Sequence, residues 1–274
     1  MSFLALVLVA LVLRFTPWRS GFPVDLLSVL VRSVATHTLS RPIWLAIALL
    51  VLPLLLCGLL LWLADGLAYG LVTLLLHALV LLLCVGRSDP LGSMASNIEE
   101  AWQRGDQEAA ALLAERDLQL DATSPESLVL GLRGELAWES FQGYFAPAFW
   151  YLLLGPVGAL LYRLIANFQR QGEHPLQPIM SSARHALDWL PARLVGLSLA
   201  LVGHFDRVLL TLRVQLLNWD TQSRELIALC VESAQSATLD DQGEAVRIMR
   251  PVRILLTRSL MVWAVCVAFI NLIG

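Results

Sequence analysis

Residues 43–64 read IWLAIALLVLPLLLCGLLLWLA, a run without a single charged side chain. As an α-helix this run is about 33 Å long, which is enough to cross a bilayer core of about 30 Å. A second uncharged run, Leu67 to Val85, follows directly after Asp65 and Gly66. The two runs predict an antiparallel pair of membrane helices joined by a tight two-residue turn.

The composition of the whole chain agrees with a membrane protein. Of 274 residues, 57% are hydrophobic and 15% are charged, and the mean hydropathy is +0.69, which is far from the balance of a soluble domain. The net charge of −3 gives no basic field, so nucleic acid is not expected as a partner. All cationic side chains apart from histidine are arginines, which excludes chemistry that requires a lysine, such as Schiff-base or P-loop chemistry.

The four cysteines do not indicate a metal or redox site. They stand at positions 57, 84, 230 and 266 without any C-x-x-C spacing, and three of them lie in apolar stretches, where a thiol behaves as a small hydrophobic group. We expect no disulfide framework, no metal and no cofactor.

Further apolar blocks extend the membrane part. Tyr144 to Leu161 and Ser259 to Ile273 are shorter possible spans, while Met1 to Leu13 and Leu194 to Val202 are short enough to lie in the interface or among other helices. No cationic segment precedes the first block and no cleavage site follows it, so we expect it to remain in the mature protein. The predicted fold is all-α and polytopic, with four to six membrane-embedded helices and amphipathic cytoplasmic helices.

Arginines at the ends of the first helix pair predict its orientation. By the positive-inside rule Arg41 and Arg87 mark the cytoplasmic side, which places the Asp65-Gly66 turn in the periplasm and residues 86–140 in the cytoplasm. Simple alternation would then put residues 163–193, with four arginines, outside. The sequence Gly155-Pro156-Val157-Gly158 interrupts the preceding apolar block, and a broken or re-entrant helix there would return these arginines to the cytoplasm.

The polar segments are predicted to be helical. Residues 86–144 hold 11 of the 22 carboxylates, and we expect a helical hairpin of Asn97 to Arg104 and Gln107 to Gln119, with Asp106 as the N-cap of the second helix. Another helix begins at Ser124-Pro125, where serine caps and proline takes the first helical position.

Residues 205–257 form the second polar region. An amphipathic helix is expected to bury one apolar face and to expose a charged one. The buried face comprises Phe205, Val208, Leu209, Leu212, Leu216 and Trp219, and the exposed face Asp206, Arg207, Arg213 and Asp220. A polar linker, Ser236 to Gly243, precedes the arginines at 247, 250, 253 and 258, which we expect to anchor the last helix against anionic lipid.

These patterns divide the chain into six segments. They are an N-terminal apolar helix with a basic segment (1–42), a transmembrane hairpin (43–85), an acidic helical cytoplasmic segment (86–143), a core with a broken apolar helix (144–204), amphipathic helices (205–258) and a C-terminal membrane helix (259–274).

Polar side chains near the broken helix are the candidate ligand-binding residues. They form three groups, of which the first two have helical spacing and opposite charge: Glu135, Glu139 and Gln142; Arg163, Asn167 and Arg170; and His185, Asp188 and Arg193. Polar groups at membrane depth are often functional, so a shared pocket is one interpretation and solvated helix ends are the other. His77, within an apolar run, is either a proton relay or a hydrogen-bonding partner for a neighbouring helix.

Four short motifs in this region resemble a known superfamily. Residues 146–150 (APAFW), 155–159 (GPVGA) and 162–163 (YR), together with 189–194 (WLPARL), resemble the membrane superfamily of CobD and CbiB, the cobinamide-phosphate synthases. The synthases carry acidic residues around these blocks. Here the corresponding positions read Gln142-Gly143, Ala166-Asn167-Phe168-Gln169 and Arg184-His185, so the resemblance implies that the carboxylates which would hold a metal and a phosphate are absent.

The chain as a whole is more similar to the AmpE family of the same superfamily. This similarity rests on its length, on residues 187–191 (LDWLP) running through 200–204 (ALVGH), and on the C-terminal apolar segment. It implies a multi-pass protein of the bacterial inner membrane with a regulatory or sensory role in β-lactamase induction and peptidoglycan recycling, without catalytic residues. The implied partners are membrane lipid and proteins of cell-wall recycling or β-lactamase regulation. The alternative is a diverged CobD/CbiB-like membrane enzyme or a binder of a phosphate ligand.

Overall fold

A computed structural model describes residues 2–15, 26–38, 43–85, 89–92, 94–120, 124–170, 174–235 and 248–273. All regular secondary structure in these ranges is helical, which confirms the predicted all-α class. The α-helices are α1 (Ser2–Phe15), α2 (Leu26–Thr38), α3 (Ile43–Ala64), α4 (Leu71–Cys84), α5 (Ser96–Gln103), α6 (Gln107–Leu118), α7 (Pro125–Ser140), α8 (Ala146–Gln169), α9 (Gln177–Val202), α10 (Phe205–Gln215), α11 (Ser223–Gln235) and α12 (Arg250–Ile273). Arg41, Arg87, the linker 236–243 and Arg247, all of which carry predictions made above, lie outside these ranges.

Four helical stretches are long and apolar enough to cross a bilayer. They are Trp44–Ala64, Pro125–Gln169, Gln177–Val202 and Arg250–Ile270, and the shorter apolar helices Phe3–Leu13 and Leu71–Cys84 accompany them. The predicted polytopic membrane architecture is therefore confirmed.

The helices group into two compact units, of which the first comprises Met1–Arg87 and Gly143–Asp188. In this unit α1, α2, α3 and α4 all pack against α8 or against one another. Its core is apolar and includes Val31, Leu81, Tyr151, Leu164 and Phe168. Since side chains of α8 from Tyr151 to Phe168 belong to this core, it fixes the helix on which several candidate site residues stand.

The second unit comprises Ser88–Gln142 and Trp189–Gly274. Here α7 packs against α11, α6 and α12 pack on α7, and α10 packs on α11. Glycines make these contacts close: a Cβ atom added at Gly196 would lie 2.6 Å from Leu212 Cδ1, and one at Gly203 would lie 2.8 Å from Ala234 Cβ. Small residues thus set the distance between the helices of this unit.

The predicted helix starts in the polar segment are confirmed. The Asp106 side chain accepts a hydrogen bond from the Ala109 backbone N–H at 3.0 Å, and Ser124 Oγ accepts one from the Ser127 N–H at 3.2 Å. Ser127 Oγ in turn accepts a hydrogen bond from the Ser124 N–H at 3.0 Å, which completes a capping box. Local capping chemistry alone was sufficient to locate these two helices.

The predicted two-residue link after α3 is wrong. Leu67–Gly70 forms a 3₁₀ turn, and α4 begins only at Leu71. Tyr69 and Gly70 have φ values of 57° and 83°, both in the left-handed region, so the chain cannot enter an α-helix before this point. The second arm of the hairpin is therefore a helix of only 14 residues.

Two further boundaries differ from the predictions. Leu194 to Val202 is not a separate short block but the C-terminal part of α9, a helix of 26 residues, and the charged residues of its first half concealed this span in the sequence. The last helix begins at Arg250 instead of Ser259. Both helices continue through turns that carry polar side chains. Several of these side chains have partners inside the protein, such as Asp188 for Arg184 and Glu99 for Arg253.

The chain is kinked within α8 at the predicted interruption. Gly155 has φ 67° and ψ −160°, which is not a helical conformation, and Pro156 follows it without a backbone N–H. Three residues further on, a Cβ atom at Gly158 would lie 2.5 Å from both the Trp150 carbonyl oxygen and Leu154 Cβ. The kink therefore depends on one glycine for its dihedral angles and on another for space.

Candidate functional site

A buried polar cluster on α8 and α9 is the candidate functional site of the first unit. Asp188 is its centre: one carboxylate oxygen accepts a hydrogen bond from the Tyr162 hydroxyl at 2.9 Å, and the other accepts one from Arg184 Nε at 3.2 Å. Arg184 also donates from Nη1 to the Ala166 carbonyl oxygen at 3.4 Å. The cluster thus connects the two helices through a carboxylate, a phenol and a guanidinium.

The local sequence explains this arrangement. Arg184 and Asp188 are one helical turn apart on α9, at the i, i+4 spacing that lets side chains of opposite charge meet. On α8, Tyr162 and Ala166 have the same spacing, so one face of α8 presents a hydroxyl and a carbonyl oxygen to α9. Regular helical geometry is sufficient to form the cluster.

Two predicted residues of α8 lie beside this face. Arg163 is 4% exposed and Asn167 is 3% exposed, while Asp188 is 3% exposed. Arg170, one turn after Asn167, is exposed, and His185 is half-buried. Of the predicted site residues in this unit, Arg163, Asn167 and Asp188 are therefore buried polar groups.

The cluster is suited to exchange of hydrogen bonds. A buried guanidinium needs an anionic or carbonyl partner, and a buried carboxylate needs donors, because an unpaired charge in an apolar surrounding is costly. An anionic ligand that reached Arg184 would compete with Asp188 for the same donor atoms. In the structure the cluster is closed on itself, with Asp188 as the partner of both Arg184 and Tyr162.

The acidic residues of α7 lie in the second unit. Glu135 forms an ion pair with Arg224 of α11, Glu139 is half-buried, and Gln142 is 2% exposed. Gln142 belongs to a π-helical turn, Phe141–Phe145, a feature that occurs frequently at functional sites. That these residues share a pocket with Arg163 and Arg193 stays a prediction.

Arg193 is held by backbone carbonyl groups and by an indole ring. Its Nε donates to Leu216 O at 2.8 Å, Nη1 donates to Trp189 O at 2.8 Å, and Nη2 donates to Asn218 O at 2.7 Å and to Gln215 O at 3.3 Å. The guanidinium carbon lies 4.0 Å from the centre of the Trp189 ring. Arg193 therefore caps the C-terminus of α10, where carbonyl groups have no helical partner.

The expectation that the arginines before the last helix contact lipid is wrong for Arg253. Arg253 Nη1 donates to Glu99 Oε2 at 3.0 Å, and Nη2 donates to the Met94 carbonyl oxygen at 2.7 Å. It joins α12 to the start of α5 in the second unit. The side chain is used inside the protein, because Glu99 supplies a carboxylate that sequence spacing could not assign to it.

Two histidines in the first unit have defined partners. His77 Nδ1 lies 2.9 Å from the Tyr151 hydroxyl, which supports the interpretation of His77 as a hydrogen-bonding residue between helices. His174 Nδ1 accepts from the Leu176 N–H at 3.1 Å, so Nε2 carries the proton that reaches Thr38 Oγ1 at 3.2 Å. Burial lowers the pKa of His174 below its ordinary value, in agreement with a neutral ring in this bonding pattern.

A separate cleft of about 280 Å³ lies between α7 and α11 in the second unit. It is lined by Leu130, Ala228 and Leu229 and by charged side chains, among them Arg133 and Glu232. Arg133 Nε donates to the Ile248 carbonyl oxygen at 3.2 Å. Its lining contains none of the residues predicted to bind a ligand.

The sequence analysis missed two members of the buried cluster as site residues. Tyr162 enters that analysis as part of a motif, and Arg184 as one of the four arginines of residues 163–193 and as a position that is acidic in the synthases. The i, i+4 spacing of Arg184 and Asp188 was the available indication of their ion pair. For Tyr162 no spacing in the sequence indicated the hydrogen bond to Asp188, which lies 26 residues later in the chain.

Fold and site together define a polytopic helical membrane protein with a buried arginine–aspartate–tyrosine cluster. A sequence model of the family described as "Regulatory signalling modulator protein AmpE" matches residues 1–274. The chain belongs to the AmpE family.

Two curated proteins are similar to parts of the chain. Protein AmpE of Shigella flexneri is 28% identical over 158 residues, which cover 53% of this chain and 55% of that protein. Cobalamin biosynthesis protein CobD of Stutzerimonas stutzeri (strain A1501) is 31% identical over 191 residues, which cover 63% of this chain and 58% of that protein. The chain thus spans a little over half the length of these relatives. No solved structure matches it.

Proposed function

We propose that the chain is a sensory regulator in the bacterial inner membrane that modulates β-lactamase induction and peptidoglycan recycling, with the Tyr162–Arg184–Asp188 cluster as its switch. The family match over residues 1–274 supports the regulatory role. The observation that carries the switch is the buried Arg184–Asp188 pair with its tyrosine donor. Binding of an anionic, phosphate-bearing ligand would replace Asp188 as the partner of Arg184 and release the Tyr162 hydroxyl.

This proposal is tested by β-lactamase induction in a strain whose own copy of the gene is deleted. Asp188→Asn keeps the shape of the side chain but removes its charge, so we expect an altered induction response at equal protein levels in the membrane. The matched control is Asp117→Asn, because Asp117 also pairs with an arginine, Arg116, but on an exposed helix. Equal responses of both variants and the unmodified chain would exclude the cluster as the switch.

The proposed site also includes the predicted polar residues of α8, and their contribution to induction can be tested separately. Arg163 and Asn167 are buried on the cluster side of α8, whereas Arg170 is exposed. Asn167→Leu should therefore alter induction more than Arg170→Leu. A larger effect of Arg170→Leu on induction would indicate that the ligand binds away from the cluster.

The similarity to CobD supports one alternative, a diverged membrane enzyme that acts on a phosphate-bearing substrate. Against it stands Arg184, because this position is acidic in the synthases and here its guanidinium engages the one carboxylate of the cluster, Asp188. Expression of the chain in a strain that lacks cobinamide-phosphate synthase decides between the two. Restored growth would establish the enzyme, and we expect none.

The proposed location requires the Asp65-Gly66 turn to face the periplasm and residues 86–140 to face the cytoplasm. In a Cys266→Ala background, which removes the exposed cysteine, single cysteines are introduced at Gly66 and at Asp106. An impermeant maleimide should label position 66 in intact cells and position 106 only after lysis. The reverse pattern would invert the topology.

A further inference from the structure

The cleft between α7 and α11 combines an apolar floor with charged walls. Its volume of about 280 Å³ is close to the lower limit of ligand pockets, about 300 Å³. Gly134 and Ala228 form the floor: a Cβ atom added at Gly134 would lie 3.3 Å from Ala228 Cβ, so small residues bring the two helices together there. Leu130 and Leu229 extend the apolar surface. A small organic molecule can therefore lie on this surface.

Two contacts fix how α7 and α11 lie along the cleft. Glu135 of α7 pairs with Arg224 of α11. One residue earlier on α7, Gly134 lies opposite Ala228, which is one turn later on α11. The two helices therefore run antiparallel, and the ion pair lies next to the end of the cleft that Glu225 lines.

Three charged side chains line the cleft. On α11, Glu225 and Glu232 stand three residues before and four residues after Ala228, which is about 4.5 and 6 Å along the helix axis. Arg133 of α7 stands next to Gly134 and is therefore level with the middle of the cleft. The cleft thus has an arginine at its centre and a glutamate towards each end.

Arg133 is oriented by the backbone. Its Nε donates to the Ile248 carbonyl oxygen at 3.2 Å, just before the start of α12, and Ile248 is 3% exposed. A carbonyl oxygen directs a guanidinium but does not neutralise it, so the side chain retains a charge suited to a carboxylate. Arg133 is therefore positioned before a ligand arrives.

The carboxylates of Glu225 and Glu232 are exposed, and within the described ranges no side chain pairs with either of them. They are seven residues apart, about 10.5 Å along the helix axis, whereas ligand oxygens of a divalent cation lie within about 2.6 Å of it. A shared metal ion does not fit this spacing, but an ammonium group can bind at either carboxylate. Exposed charges on this face also place the cleft in water, because charges in hydrocarbon are costly.

The two glutamates offer different surroundings. Glu225 follows Arg224, whose positive charge opposes a second cation. Near Glu232 the cleft is also lined by Gln235, whose amide is buried, and in the antiparallel register Leu130 lies at this end. The Glu232 end therefore favours an ammonium group that is attached to an apolar side chain.

We propose that the cleft binds a short zwitterionic peptide, with the peptide carboxylate on Arg133 and the peptide ammonium group on Glu232. An extended dipeptide is about 7 Å long, which matches the separation of about 6 Å along the helix axis between these two levels. The first side chain of the peptide covers Leu130. The proposal goes beyond the proposed function, because none of the cleft residues belongs to the switch cluster.

Isothermal titration calorimetry of the full chain in detergent tests the proposal with the dipeptide leucyl-alanine. N-acetylation of the dipeptide removes its ammonium group, and amidation removes its carboxylate. Each change should weaken binding about tenfold, the usual weight of one charge-assisted hydrogen bond. Equal affinity of all three compounds would overturn the proposal, as would an absence of binding by leucyl-alanine at about 10 mM, above the range of weak ligands.

Variants of the charged residues test the orientation of the peptide. Glu232→Gln should weaken binding of leucyl-alanine about tenfold, whereas the matched control Glu225→Gln on the same helix should leave the affinity almost unchanged. In Arg133→Gln the dipeptide and its amide should bind equally, a comparison that a general loosening of the cleft would not produce. A larger effect of Glu225→Gln, or a retained preference of Arg133→Gln for the free carboxylate, would refute the assigned roles.

Discussion

Two arginines on the same helix, Arg184 and Arg193, are both buried and are neutralised in different ways. Arg184 pairs with a side-chain carboxylate, that of Asp188, whereas Arg193 is surrounded by four backbone carbonyl oxygens and an indole ring. A carboxylate can be protonated, or displaced by a second anion, without unfolding the chain. Backbone carbonyl groups at a helix terminus offer no such exchange. The partner of each arginine therefore separates the pair that we propose as a switch from an arginine that holds the scaffold together.

Removal of the Asp188 carboxylate should have the largest effect on stability. In Asp188→Leu, Arg184 remains buried without its counter-charge and the Tyr162 hydroxyl loses its acceptor, which should cost about 3–5 kcal/mol. Thermal unfolding in detergent, followed by circular dichroism, measures this loss. The double variant Arg184→Leu/Asp188→Leu should recover most of it, because it leaves no unpaired charge. A double variant as unstable as Asp188→Leu would show that the two side chains are not coupled.

The next effect is expected for Arg193. Arg193→Ala leaves the carbonyl groups at the end of α10 without donors, so we expect a loss of about 1.5–3 kcal/mol. Hydrogen exchange should accelerate mainly in residues 205–219. Arg193→Lys should restore only part of the protection, since an ammonium group lacks the planar fork that reaches several carbonyl oxygens at once. Full protection in Arg193→Ala would contradict the capping role.

The next prediction concerns His174, a buried polar side chain that carries no charge in the folded chain. Burial lowers the pKa of His174, so the folded chain binds fewer protons than the unfolded chain between the lowered pKa and the ordinary value of 6.5. Stability is therefore complete above about pH 6.5 and decreases as the pH falls below it. The unfolding midpoint of the unmodified chain should fall over this range more than that of His174→Gln. Identical pH profiles would exclude His174 as a source of the decrease.

The smallest effect is expected for the exposed pair of Arg116 and Asp117. Arg116 Nε donates to Asp117 at 2.7 Å, and this hydrogen bond lowers the pKa of the Asp117 carboxyl. Both side chains are in water, where such a pair contributes little to stability. Asp117→Ala should leave the unfolding midpoint unchanged. A shift comparable to that of Asp188→Leu would remove the distinction between buried and exposed ion pairs in this chain.

The sequence alone predicts those features of the structure that depend on residues close together in the chain. The apolar run of α3 and the caps at Asp106 and Ser124 follow from hydropathy and from local hydrogen bonding, and the structure has them as predicted. The length of α9 did not follow, since its first half carries Arg184, His185 and Asp188, and hydropathy does not register that Arg184 and Asp188 neutralise each other.

The candidate site was harder to predict from the sequence, because its contacts also join residues that are far apart in the chain. Asp188, Arg163 and Asn167 could be singled out as polar groups near membrane depth, but three of the four carbonyl partners of Arg193 lie more than 20 residues later in the chain. Every residue carries a carbonyl group, so no residue type marks such a partner. Only Val208 and Leu212 of the predicted apolar face of α10 are buried, whereas Phe205, Leu209, Leu216 and Trp219 are exposed, because periodicity gives an apolar face but not the direction in which that face points.

The crowded glycine of α8 has a consequence for natural and laboratory variation. Around Gly158, the neighbouring Leu153 and Leu154 are more than half exposed, and any aliphatic residue would serve there. At Gly158 even alanine would place a methyl group 2.5 Å from the Trp150 carbonyl oxygen, and backbone cannot move aside as a side chain can. In a saturation-mutagenesis map of the chain, position 158 should therefore be intolerant, as Gly155 should be for its positive φ, whereas the neighbouring leucines should be tolerant. Its intolerance would reflect the path of the main chain and would not identify it as a ligand contact.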